Sequence, residues 1–179
     1  PSVESDGPRG RRSFERRPFF GLHPAPEDFR SPHPALRPVN LLLGIGHAGH
    51  GDDGLGPTFA RAFRHPDWRG IAAGTVPENY TGLVRRLHPD LLVLLDAADM
   101  GLPPGTLRRL SPADVRARDF GTHAPSIGQL ADFLADCAGQ VVVLGIQPAF
   151  VAPGARLSAP VRSALKSLGR RLASGQLPP

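Results

Sequence analysis

The sequence predicts an α/β fold, a single three-layer domain with a mainly parallel, twisted sheet and helices on both faces. Three observations predict it. The runs Val39–Ile45, Leu91–Leu95 and Val141–Ile146 have the length and near-continuous hydrophobicity of strands buried on both faces. Between them lie segments whose apolar residues recur at helical spacing. Strand and helix alternate along the chain, which is the pattern that crossover helices impose on a parallel sheet.

The elements follow in order. Residues 1–38 are rich in Pro and Arg, with one short apolar cluster at Phe19–Leu22. Such a segment buries too little to repay the entropy of ordering and is expected to be a disordered extension. The domain is expected from 39 to 174, followed by a tail at 175–179. Val39–Ile45 reads as the first strand and Gly46–Gly54 as a loop. Residues 55–65 read as a helix, with Phe59 and Phe63 on one face. Ile71–Val76 is a weaker strand, and Glu78–Leu87 looks helical. Leu91–Leu95 is a strongly apolar strand that ends at Asp96. Thr106–Leu110 is a short strand. Ser126–Cys137 is a helix that spaces Ile127, Leu130 and Leu134 on one side, and Val141–Ile146 is another buried strand. In the last helix Ser158 caps the start and Pro160 sits in the first turn. Val161, Ala164, Leu165, Leu168 and Leu172 then form one apolar stripe.

Charge narrows the function classes. The net charge of +5 invites a nucleic-acid reading, but the excess lies in residues 1–39 and 161–179, and the body between them is near neutral. Aromatic residues are only 6% and are not interleaved with a basic patch, which argues against a stacking reader of nucleic acid. A single cysteine, Cys137, permits no disulfide within the chain and fits a reducing compartment, the cytoplasm. No apolar run approaches the ~18 residues needed to span a bilayer, and the N-terminal segment lacks the apolar centre of a signal peptide. Membrane insertion is therefore not expected.

The chemistry is expected at one edge of the sheet. Open α/β sheets bind ligands outside the carboxyl ends of their strands, where strand order reverses. In a flavodoxin-like order that point lies between the first and third strands. Here the first leads into HAGHGDDG (47–54) and the third into DAAD (96–99), so both acidic clusters flank one crevice. GDDG is also readable as a plain turn with a helix cap. Asp96 is harder to treat as a turn residue, because a carboxylate directly after LLVLL is desolvated unless a metal or an arginine pairs with it.

Gly44-Ile45-Gly46-His47-Ala48-Gly49 matches the dinucleotide fingerprint after a strand. Asp52 and Asp53 follow at once and would repel a pyrophosphate, and no acid stands near the end of the second strand at the usual distance of about 20 residues from the motif. Among the histidines, His23 and His33 lie in the extension and His65 and His88 near helix ends. His47, His50 and His123 remain as candidate ligands. An Asp/Asp/His set suits a borderline divalent ion such as nickel or zinc. Cys137 falls on the apolar face of a helix and reads as packed. Gln147 and Pro148 follow the last strand and form either one wall of a substrate groove or a structural turn.

These motifs form an ordered set: GIGHAGHGDDGLGP (44–57), PEN (77–79), LLDAADMGLPPG (94–105), TH (122–123) and LGIQP (144–148). The set, across about residues 40–173, resembles the hydrogenase maturation endopeptidases. It is most similar to the branch that processes the hydrogenase of the formate hydrogenlyase complex. The resemblance implies a hydrolase that clips a C-terminal extension from the precursor of a nickel–iron hydrogenase large subunit after nickel insertion. It implies that Asp53, Asp96 and His123 are the metal-sensing and catalytic residues. The nickel is then carried by the substrate, and another divalent metal is expected to occupy the site in the isolated protein. One departure is plain: the family usually has Asn where this chain has His47, and His50 is an addition. That departure motivates an alternative, a non-proteolytic nickel-binding or accessory maturation protein on the same fold.

Overall fold

The computed structural model describes residues 40–111, 114 and 127–179. The expected N-terminal extension, Ser126 and His123 lie outside the described residues. Among those described, β1 (Asn40–Ile45), β2 (Trp68–Gly74), β3 (Leu91–Ala97), β4 (Leu107–Arg109) and β5 (Gln140–Ile146) form one sheet of order β2-β1-β3-β5-β4. β2, β1, β3 and β5 run parallel, and the short β4 pairs antiparallel with β5 at one edge. β1 lies between β2 and β3, so the chain leaves β1 in one direction and returns across it. The expected switch point is therefore present.

Side chains alternate between the two faces of the central strands and feed two cores. Leu41, Leu43, Leu92, Leu94 and Val143 pack on one side with Val84 of α2 (Thr81–Leu87) and Leu130 and Leu134 of α3 (Ile127–Leu134). Leu42, Val93, Leu95, Val142 and Leu144 pack on the other with Leu55 and Phe59 of α1 (Leu55–Ala62) and the stripe of α4 (Ala159–Ala173). All five stripe residues of α4 are buried. Ser158 caps α4 by accepting a hydrogen bond from the Val161 N–H. These two apolar layers are the three-layer fold that the sequence predicted.

The differences are local and have reasons. α1 ends at Ala62 rather than at residue 65, and Phe63 is extended with ψ 124°. Pro66 disfavours helix in the residue before it, so the chain must unwind on approach. Phe63 still packs on the apolar side, stacked on Phe59 at 5.2 Å and edge-on to Trp68 at 5.9 Å. β2 starts at Trp68 because it pairs from there with Asn40. It is an edge strand with only Ala73 fully buried, so its sequence reads as a weak strand. The segment 78–87 divides into a 3-10 turn at Pro77–Tyr80 and α2. α3 gives way to a 3-10 turn at Ala135–Cys137. The last residues are held rather than loose: Leu177 packs on the core, and the Pro179 carbonyl accepts from the Arg109 N–H at 3.0 Å.

One close approach positions the site. A Cβ on Gly56 would lie 2.3 Å from the Ile45 carbonyl oxygen and 2.5 Å from that of Leu95, and one on Gly44 would lie 2.0 Å from the Gly56 carbonyl oxygen. The start of α1 thus rests directly on the backbone of β1 and β3. Only hydrogen fits at both positions.

Candidate active site

The carboxyl ends of β1 and β3 deliver two loops to one place. Gly46 turns the chain out of β1 with φ +113°. A Cβ at Gly46 would lie 2.0 Å from the Asp53 carbonyl oxygen and 3.4 Å from Asp96 Oδ1. The loop therefore folds back so that Asp53 and Asp96 meet around a glycine. GDDG itself is a 3-10 turn, Gly51–Gly54, that runs straight into α1. The His47 N–H donates to Asp53 Oδ2 at 2.6 Å, which fixes the half-buried Asp53 side chain. Asp96 does not follow its strand but belongs to it, since β3 continues to Ala97.

The Ala97 N–H donates to Asp96 Oδ1 at 2.8 Å. Burial pushes the Asp96 carboxyl up to about 7. The Ala97 hydrogen bond pulls the other way, and the negative charge of Asp53 adds to the rise. Two acids at one strand edge thus share a deficit of positive charge. Among the described residues no third His, Cys, Asp or Glu gathers with them closely enough to hold a metal ion. His123, the third residue assigned by resemblance, lies outside the described residues.

Asp52 behaves quite differently from Asp53. It is fully buried. Its Oδ2 accepts from the Ala149 N–H at 2.8 Å and the Phe150 N–H at 3.3 Å, and its Oδ1 from the Ser158 N–H at 2.7 Å. Burial pushes this carboxyl up, but the hydrogen bonds from Ser158, Ala149 and Phe150 outweigh it and hold it below the usual carboxylate range. Neither Asp caps a helix: the turn and α1 have no side-chain cap hydrogen bond. Asp52 instead bolts the loop after β1 to the loop after β5. Sequence reasoning missed it, because its partners lie about a hundred residues away and leave no local signal.

The other candidates are also placed. The His47 side chain is exposed and stacks on His50, with ring centroids 3.8 Å apart. What meets Asp53 is the backbone of residue 47. Gln147 is buried at the end of β5. Its Oε1 accepts from the N–H groups of Met100, at 2.5 Å, and Leu102, at 3.3 Å, and its Nε2 donates to Asp99 Oδ1 at 3.1 Å. These bonds use the amide to shape the loop after β3, which favours a structural turn over a groove wall. Cys137 is buried in the core. The fingerprint glycines Gly44 and Gly46 have packing reasons of their own.

Comparison with known proteins gives relatives of this fold. A family model described as hydrogenase maturation protease, HycI, matches residues 55–174. The Hydrogenase 3 maturation protease of Escherichia coli K12 is 36% identical over 138 residues, covering 75% of this chain and 88% of its own. A crystal structure of a Hydrogenase 3 maturation protease superposes with a TM-score of 0.70 at 34% identity, covering 78% of this chain and 96% of that one. The [NiFe] hydrogenase maturation protease HycI of Thermococcus kodakarensis KOD1 gives a TM-score of 0.66 at 25% identity over 76% of this chain and 91% of that one.

Proposed function

From the premise that the chain belongs to the hydrogenase maturation protease family, we propose that it is an endopeptidase that removes the C-terminal extension of a nickel–iron hydrogenase large-subunit precursor. On this reading Asp53, Asp96 and His123 meet the nickel already inserted in the precursor, so that only loaded precursor is held for cleavage. The observation that carries the reading is the Asp53–Asp96 pair, two carboxylates at one strand edge with the second pushed up to about 7.

The donor set fits a divalent ion. Two carboxylates short of positive charge, with an imidazole as third ligand, suit nickel or zinc. In the isolated protein Asp53, Asp96 and His123 would hold such an ion, which would polarise a carbonyl or a bound water. The chain's own residues supply the rest. Asp53 is fixed by the His47 N–H, so its carboxylate is preorganised. Asp96, with its raised pKa, is placed to accept a proton from an attacking water and return it to the leaving amine. Holding the scissile segment beside such a group accounts for much of the acceleration expected of a peptidase. The reaction belongs in the cytoplasm on this reading, in line with the lone cysteine. No helix among the described residues is long and apolar enough to cross a membrane.

The test is incubation of the purified protein with nickel-loaded and nickel-free precursor, followed by intact mass. Loss of the C-terminal extension from loaded precursor alone is the expected result. Binding of loaded precursor with no mass loss would replace the peptidase with an accessory maturation protein.

A further inference from the structure

A groove of about 580 Å³ opens beside the candidate site, lined by Ala48, Gly51, Thr58, Ala155, Arg156, Leu157 and Arg162. Two of these residues, Ala48 and Gly51, belong to the loop after β1 that also carries Asp53. Its far wall is the segment between β5 and α4. That wall is fixed twice: by Asp52, which accepts the Ala149, Phe150 and Ser158 N–H groups, and by the Gly154 N–H, which donates to the Gly49 carbonyl at 2.7 Å.

The chemistry of the groove is lopsided. Both chargeable residues lining it are arginines. Neither pairs with a carboxylate among the described residues; Arg162 spends one nitrogen on the Leu157 carbonyl. From residue 150 to 179 the chain has four Arg, one Lys and no acid. The nearest buried carboxylate, Asp52, is consumed by backbone N–H groups. At the Gly51 end stand Phe150 and Val151, which are 47% and 55% exposed. The Phe150 ring touches Gly51 closely enough that a Cβ there would lie 3.4 Å from Cε2. A large exposed aromatic held on a rigid backbone is an anchor for a partner.

We propose that this groove binds the precursor segment just beyond the scissile bond, with Arg156 and Arg162 taking a carboxylate side chain and Phe150–Val151 an apolar one. The proposal rests on the endopeptidase reading above. Polarity sets the orientation. The Asp53–Asp96 end attracts the cationic, metal-bearing part of the substrate, and the arginine end attracts its acidic part. A nucleic acid fits poorly, because its phosphates would run from the arginines into Asp53 and Asp96.

The test uses R156Q, R162Q and the double variant in the full chain, with far-UV circular dichroism to confirm the fold. Cleavage of nickel-loaded precursor gives KM and kcat. Fluorescence anisotropy follows a labelled synthetic peptide carrying the extension, a second with each Asp and Glu replaced by Asn and Gln, and a third with an amidated carboxyl terminus. Each arginine removed should raise KM and peptide Kd roughly fivefold with kcat unchanged, as expected for one exposed charge pair. The wild-type affinity should fall with salt and the double variant's should not. The neutralised peptide should bind wild type as weakly as the acidic peptide binds the double variant, and the amidated peptide should bind normally. Unchanged KM and Kd in the double variant overturn the proposal while leaving the endopeptidase intact. Weakening by amidation alone, or equal competition by duplex DNA, also overturns it. Arginine-dependent peptide binding without any cleavage by wild type would instead overturn the peptidase reading and keep the groove.

Discussion

Replacing Asp96 by Asn separates the cost of burying this carboxylate from everything else at the site. Asn keeps the shape and an oxygen that accepts the Ala97 N–H, and it cannot ionise. The Asp96 carboxyl is pushed from an ordinary 3.8 to about 7, first by burial and then by Asp53, against the Ala97 hydrogen bond. At about 1.36 kcal/mol per pH unit that rise amounts to roughly 4 kcal/mol. The side chain keeps some solvent contact, so about half, ~2 kcal/mol, is the working figure. The sign follows from linkage. A carboxyl raised in the folded state contributes stability that is fully present below 3.8 and is lost as pH rises to about 7. Wild type should therefore lose stability across that window, and Asp96→Asn should not.

The assay is the melting temperature of both proteins between pH 4 and 8.5 in the presence of a chelator. The curves should coincide near pH 4, diverge through pH 5–7 and run parallel above, with the variant roughly 4–8 °C more stable. Asp53→Asn should lower the midpoint of the wild-type change only modestly, because burial is the larger cause. Parallel curves throughout, or an Asp96 carboxyl titrating near 4 by carbon NMR, would refute the reasoning.

Four further outcomes follow from the same geometry. Asp52→Ala removes the acceptor of three N–H groups and leaves the buried Ser158 N–H unsatisfied, at roughly 1–3 kcal/mol, so the melting temperature should fall, and limited proteolysis should cut first within 149–158. Gly56→Ala drives a methyl into the backbone of β1 and β3, and overpacking of about 1–3 kcal/mol or more should appear as a lower midpoint in urea together with loss of cleavage. His47→Asn should leave cleavage and its pH profile unchanged, because residue 47 serves Asp53 through its backbone; a changed profile would show that the imidazole takes part. If a divalent ion binds Asp96, calorimetry in two buffers of different ionisation heat should show proton release near pH 7 that vanishes above pH 8.5 and in Asp96→Asn.

What the sequence revealed and what it hid follow from the range of the interactions. β1, β3 and β5 were legible because both faces are buried, so nearly every residue is apolar. α4 was legible from its cap and stripe. β2 was blurred because an edge strand is half solvated, and the end of α1 because Pro66 acts on a helix whose apolar pattern runs on to Phe63. Asp96 announced itself as an acid where only apolar residues belong. The adjacent pair Asp52–Asp53 could not be divided from the sequence. Which of two neighbouring acids turns inward depends on Ala149, Phe150 and Ser158, whose contribution is backbone N–H groups that no side-chain pattern records. The direction of the His47 side chain was hidden for the same reason, since the contact that matters is made by the main chain.

The two acids of GDDG divide one physical problem between them. A buried carboxylate needs donors, and Asp52 receives three from the segment after β5, so it stays ionised and serves as a bolt. Asp53 and Asp96 have one backbone donor each, and the charge of Asp53 adds to the burial that raises the Asp96 carboxyl. On the proposed reading such a pair holds a cation weakly, because two carboxylates offer few ligand bonds. Weak holding is unsuited to a permanent metal centre, yet it suits the proposed role of meeting a nickel that the substrate brings. The precursor's own contacts, in the groove that Asp52 keeps in shape, would then supply the remaining affinity. Sensing and binding are on this account one coupled event: the acidic pair contributes only when the incoming segment is charged, and the groove alone does not satisfy the pair.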